Sequence, residues 1–379
     1  MAANQKVLGT ISSWPQTNLC AWEPPRFHQQ RDMVASYAVG SGVCGDISVR
    51  QVPFVPYGDQ SKRQRKYMQQ ALGPASIREY QPLITVETAS FLDRLLDDPE
   101  DYINLIRRYA GSLMLFVTYG HRVTSADDAF LSMATTCISL LSNQIASPGS
   151  IWAVDIVPAL RHLPSWLPGM SWKRHAKVWK AQIEELVDAP FEFAQGLIRK
   201  GIAMPSFCQT LLADGGKSLT LQQLFDIKWT ANSMYAGSID TATTLVQHFI
   251  HAMITHPDVL ACAQAEIDAV VGRDRLPSFA DRAALPYIEC VMSECLRWAA
   301  PVPVGLPHQL TQDDVYNGML IPKGALVFGN ICTLYPDPDV FSPERFMNPG
   351  LDPDLARRKD PRQYVYGFGR RYVLVLILS

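Results

Sequence analysis

A mainly α-helical fold with small β-sheets is predicted by three observations. Long segments with helical apolar spacing, bounded by proline, glycine and capping residues, fill much of the chain. Turn-broken short apolar stretches are confined to one region near the C-terminal end. No internal repeat or low-complexity tract competes with either pattern, and at 379 residues with 47% hydrophobic content the chain can bury a large core.

The elements follow in order. The first ~50 residues mix polarity in clusters such as AVGSGVCGD and receive no assignment. From Tyr57 onward the chain reads mostly helical. The clearest helix lies between Thr220 and His256: Thr220 and Gln223 form a capping box, apolar residues recur at helical spacing, and Pro257 ends it. At roughly 1.5 Å per residue it is over 50 Å long. Next, PDVLACAQAEIDAVVG carries proline in its first turn and stops at Gly272. A third helix, PYIECVMSECLRWAA, begins at Pro286 and is stopped by Pro301 and Pro303. From Pro301 to Val327, proline and glycine break the chain around the turn YNGM, which predicts a small hairpin. The remainder, up to YGFGRR, reads as loop.

The net charge of −2 and dispersed Lys and Arg residues exclude a basic stripe, so no nucleic-acid partner is expected. Cys20, Cys44, Cys137, Cys208, Cys262, Cys290, Cys295 and Cys332 show no CxxC pair and no zinc spacing, which predicts mostly buried thiols in a reducing compartment. The N-terminus MAANQKVLGTISSWPQTNLC lacks the pattern of a signal peptide, and no stretch approaches the roughly 20 apolar residues of a membrane span.

Three motifs could carry chemistry. AGSIDTATT, residues Ala236 to Thr244, places glycine, serine and threonines in mid-helix, where hydroxyls compete for backbone carbonyls and a local distortion is expected. Asp240 beside Thr241 offers an acid and an alcohol as a proton relay; the same residues also fit a polar patch on an interior helix. In SECLRW, Glu294 and Arg297 lie three apart on one helix face, either as a solvated pair or as a buried pair with a further partner such as Arg345 of FSPERF. YGFGRR could cradle a phosphate, but no strand-loop-helix context with Lys or Ser/Thr follows it.

Taken together, AGxxDT on a long helix, then ExxR, then PERF, then a terminal YGFGRR resembles the cytochrome P-450 superfamily of haem-thiolate monooxygenases, especially its fungal microsomal members. PFVPYGDQSKRQRKYMQQAL, LPSWLPGMSWKRHA and LPHQLTQDDVYNGMLIPKG extend the resemblance, which runs from about Pro53 to Tyr372. It implies the cytochrome P-450 fold as a single domain over 53–379, after a poorly matching leader over 1–52.

By that resemblance Asp240 and Thr241 deliver protons to iron-bound oxygen, and Gly237 and Ser238 line the oxygen groove. Glu294, Arg297 and Arg345 form a structural ion network. The cofactor is heme b, whose propionates would meet Arg65, His308 and Arg371, since charge-assisted hydrogen bonds suit carboxylates. Arg65 also fits a solvated charged run, KRQRK, and His308 a loop. Tyr366, Gly367 and Gly369 would shape the haem loop. The implied partners are an apolar small-molecule substrate, O2 and an NADPH-dependent reductase; substrate contacts are expected within Ser147 to Met204 and on the helix face around Tyr235.

The sequence departs from the family pattern at the axial ligand. The family's thiolate donates electrons to iron, yet the position two after Arg371 is Val373, and no Cys, His, Met or Tyr follows in VLVLILS. This predicts weak or no haem binding. The family tryptophan is replaced by Ser61, NICTLYPDPDVFSPERF is shorter than its counterpart, and an anchor, a first sheet region and a haem-proximal helix are expected to be missing, as in a truncated or mis-spliced product or an altered gene boundary. The family expectation for localisation is the cytosolic face of the endoplasmic reticulum membrane; without the anchor, the cytoplasm is the alternative.

Overall fold

The computed structural model describes residues 33–35, 50, 52, 53, 55–125, 127–140, 154, 157–213, 219–302, 305, 308–330, 334–347 and 359–367. The fold is mainly helical: α1 (Asp59–Leu72), α2 (Pro74–Asp97), α3 (Tyr102–Tyr119), α4 (Ala129–Leu140), α5 (Ser171–Arg199), α6 (Phe207–Leu212), α7 (Leu221–Thr255), α8 (Pro257–Val270), α9 (Pro286–Trp298) and α10 (Arg362–Val365). Short strands are β1 (Met33–Ala35), β2 (His308–Leu310), β3 (Asp314–Tyr316), β4 (Met319–Ile321) and β5 (Leu326–Val327). Chain contacts divide the molecule into two compact units, one of 34–80 and 108–240, the other of 1–33, 81–107 and 241–379.

In the first unit, α5 shows why an amphipathic sequence becomes a core helix. Trp172, Ala176, Trp179, Ile183, Val187, Pro190 and Ala194 recur every three or four residues and are all buried. The first five of them pack with Leu140, Val154, Met170 and Trp229 into one apolar cluster. The helix ends in a Schellman motif: Gly201 turns left-handed (φ 69°), its N–H donates to Ile198 O, and Ile202 N–H reaches Leu197 O at 3.1 Å.

In the second unit, Ala252, Met253, Val259, Ala263, Tyr287, Val291, Cys295 and Phe341 form the core. Glu266 on α8 stabilises the start of α9 by accepting the backbone N–H groups of Tyr287 and Ile288, each at 2.9 Å. This satisfies two of the N–H donors that the first turn of any helix leaves without intrahelical partners.

The predicted hairpin is present. β3 pairs antiparallel with β4 in the register Asp314↔Ile321 and Tyr316↔Met319, and Asn317 and Gly318 both take positive φ (49° and 80°), as a tight hairpin turn requires. β2 pairs antiparallel with β5, His308 opposite Val327. The stretch read as loop before YGFGRR holds two short helical turns, the 3-10 turn Pro343–Phe346 and α10. Both begin at or just after proline, and Asp360 accepts the Arg362 N–H at 2.9 Å, a local cap too short for periodicity to show.

The capping box at Thr220 is formed: Gln223 N–H donates to Thr220 Oγ1 at 3.2 Å and Thr220 N–H to Gln223 Oε1 at 2.8 Å. Against expectation, α7 stays α-helical through AGSIDTATT. Within that motif Ser238 Oγ donates to Met234 O at 2.5 Å, as Ser233 Oγ just before it does to Trp229 O at 2.7 Å. No described helix is long and apolar enough to cross a membrane.

Candidate functional site

Helix α7 changes character along its length. From Trp229 to Tyr235 every residue is buried; Gly237, Asp240 and Thr241 are then exposed, while Ser238, Ile239, Ala242 and Thr243 between and beside them stay buried. Positions 237, 240 and 241 are spaced i, i+3, i+4, so they share one face. A Cβ built on Gly237 would meet no atom within 4 Å. An acid and an alcohol therefore stand next to each other on a face that opens just after the buried run 229–235. Ser238 belongs to the buried side, its hydroxyl donating to Met234 O.

Glu294, Arg297 and Arg345 are brought together. Arg297 clasps Glu294 bidentately, Nε to Oε2 at 2.6 Å and Nη2 to Oε1 at 2.7 Å, and Arg345 Nε reaches the same Oε1 at 3.2 Å. Both arginines then grip backbone carbonyls: Arg297 those of Pro338 (2.7 Å) and Val340 (2.9 Å), Arg345 those of Pro336 (2.9 Å) and Val340 (3.0 Å). Ser342 N–H donates to Glu294 at 2.7 Å, and the Tyr335 ring lies over the Arg297 guanidinium. The carboxylate is fully buried and fully hydrogen-bonded, the condition under which a buried charge is tolerated. What the network holds is the segment from Pro336 to Arg345.

The charged run on α1 is not a uniformly solvated face. Arg63 pairs with Asp226, a fully buried carboxylate on α7, at 2.5 Å, and Gln222 adds a second donor at 3.2 Å. Sequence reasoning missed this pair, although an aspartate within an apolar-periodic stretch was the available signal. Arg65 is partly buried; burial pulls its guanidinium pKa down, and Tyr57 opposes that shift. Ser61 is fully buried.

His308 is a buried residue of β2 rather than a loop residue. Tyr366 ends α10, and Gly367 follows at φ 84°, a left-handed conformation natural to glycine, with its N–H donating to Tyr364 O at 3.0 Å. Gly369, Arg371 and Val373 lie outside the described residues. Among the described residues no group of three or more His, Cys, Asp or Glu side chains is arranged to hold a metal ion.

These residues fit a haem in part. The Arg65 guanidinium and the His308 imidazole are groups that can donate to carboxylates, and Gly237 keeps its helix face clear of side-chain atoms. At the position that the resemblance gives to the axial ligand the sequence has Val373, whose side chain has no lone pair to donate, so no step through iron is assigned to this sequence.

Comparison with known proteins agrees with this architecture. The cytochrome P450 family profile matches residues 44–372. Among curated relatives, cytochrome P450 monooxygenase claT of Ampulloclitocybe clavipes is 43% identical over 327 residues, covering 84% of this chain and 64% of the relative. Cytochrome P450 monooxygenase 176 of Postia placenta is 39% identical over 330 residues, covering 84% and 62%. The chain thus spans less than two thirds of the length of these relatives. A zebra fish cytochrome P450 solved with progesterone superposes with a TM-score of 0.66 over 91% of this chain and 77% of that one, at 20% identity. On the family match and the shared fold, the chain belongs to the cytochrome P450 family.

Proposed function

We propose that this chain is the helical body of a haem-dependent monooxygenase that oxidises an apolar small molecule in secondary metabolism. The observation that carries the reading is the exposed stripe of Gly237, Asp240 and Thr241 just after the buried run 229–235 of α7. In this family, haem with its thiolate activates O2 using electrons that here would come from an NADPH-dependent reductase. The chain's own part is to offer the Asp240 carboxylate and the neighbouring Thr241 hydroxyl as acid–base groups on a face where Gly237 leaves room for a reactant. Buried Ile239 and Ala242 beside the stripe keep water from the other side of the helix. The site of action that goes with the family is the cytosolic face of the endoplasmic reticulum membrane.

A second reading is favoured by one residue. With Val373 in place of a ligand, the same fold acts as a haem-free relative without catalysis. Haem retention by a restored cysteine tests the framework that the first reading requires. The unaltered chain and Val373→Cys are each mixed with haem and passed through gel filtration, with circular dichroism as the check on folding. The monooxygenase reading expects the cysteine variant to keep haem at about one per chain. Loss of haem from a correctly folded Val373→Cys sinks that reading in favour of the haem-free one.

A further inference from the structure

Tyr235 is fully buried on α7, one turn before the exposed stripe. Its Oη donates to the backbone carbonyl of Phe130, in the first turn of α4, at 2.9 Å, and its ring meets Tyr119 edge-on at 5.9 Å. The same turn of α4 is held from its other side. Asp128 Oδ1 accepts the N–H groups of Phe130 (2.9 Å) and Leu131 (3.2 Å), while Asp128 Oδ2 is bonded to His121 Nε2 at 2.7 Å. The His121 ring in turn is boxed edge-on between Phe130 and Phe193.

A second point of attachment lies one turn further along α7. A Cβ on Gly111 of α3 would come within 2.3 Å of Leu131 Cδ2 and 3.9 Å of Ile239 Cδ1. Leu131 of α4 therefore rests directly on the α3 backbone, and Ile239, the residue before Asp240, packs at the same spot. Tyr235 and Ile239 are spaced i, i+4 on one face and flank Gly237. On α7, Tyr235 bonds to α4 while Ile239 packs against Gly111 of α3 beside Leu131, so the two contacts flank Gly237 and end one residue before Asp240.

We propose that Tyr235 is a positioning residue: through its hydrogen bond to Phe130 it ties the first turn of α4 to the turn of α7 that presents Asp240, so that the two turns open and close together. A displacement of α4 would then be transmitted to the acid, and a change at the acid-bearing turn to α4, since such coupling is reciprocal. The role of Asp240 is taken from the proposed function; the coupling itself is independent of it.

The test uses the full chain without haem and reads amide hydrogen exchange by mass spectrometry. Tyr235→Phe removes the hydroxyl and leaves the ring. Exchange is expected to rise about five-fold, the opening equivalent of one neutral hydrogen bond, in peptides covering Ala129–Ala134 and Gly237–Ala242, with Leu221–Asp226 unchanged. Met68→Ala, in the buried face of α1, is the control for general loosening, compared at equal distance below each unfolding temperature. Acceleration confined to α4, or the same pattern in the control, overturns the proposal. Failure of the proposed function would appear instead as loss of haem from Val373→Cys, with the exchange pattern intact.

Discussion

Glu294 is a fully buried carboxylate with four donors on it, supplied by Arg297, Arg345 and the Ser342 backbone. Replacing it by alanine strands the Arg297 guanidinium, whose side chain is 1% exposed, without a counter-charge. Glu294→Ala is expected to cost about 3–5 kcal/mol, measured by urea unfolding; a loss under about 1 kcal/mol would mean the charge is not buried in solution. The i, i+3 spacing of Glu294 and Arg297 is legible in SECLRW, and Arg345 in PERF. What the sequence cannot display is the rest of the grip, because the carbonyls of Pro336, Pro338 and Val340 come from a segment some 40 residues beyond Arg297 and carry no side-chain signature. The Arg63–Asp226 pair was missed for another reason: the aspartate stood out in an apolar stretch, but its partner is 163 residues away.

Among the helices, glycine shows how position decides an outcome. Gly111 and Gly237 both interrupt a helix and look alike in sequence, each lowering helix propensity by about 1 kcal/mol relative to alanine. In the fold they differ. Gly111→Ala drives a methyl group against Leu131 and should destabilise by about 1–3 kcal/mol, whereas Gly237→Ala enters open space and should stabilise by up to about 1 kcal/mol. Thermal unfolding of the two variants side by side checks this, and equal destabilisation would contradict the packing at Gly111. The ends of α7 were legible because capping is local: Thr220, Gln223 and Pro257 lie next to the boundaries they set. Its continuity through AGSIDTATT was not, since propensity alone does not reveal that serine hydroxyls find acceptors one turn back.

For the molecule as a whole, pH dependence of stability has an identifiable contributor. Burial, then the neighbouring His248 and His256, lower the pKa of His251, whose ring stacks on Trp298 at 5.9 Å. A histidine held neutral in the fold binds its proton more readily when unfolded, so it favours unfolding as pH falls through the ordinary histidine range, about 6.5 and below. The unfolding temperature should therefore drop between about pH 7 and pH 5, and His251→Phe should shrink that drop; an unchanged pH profile in the variant would remove His251 as the cause. Class and family were legible because the ordered series AGSIDT, SECLRW, PERF and YGFGRR spans the chain, and the family match over residues 44–372 agrees with it. The division into two compact units was not legible, since three helices run through both. The central claim is that this chain keeps a monooxygenase framework whose iron ligand is replaced at Val373. Its most direct test is the carbon monoxide spectrum of the reduced, haem-supplied protein. The account predicts a thiolate-type Soret band for Val373→Cys and none for the unaltered chain; a thiolate-type band from the unaltered chain would contradict it.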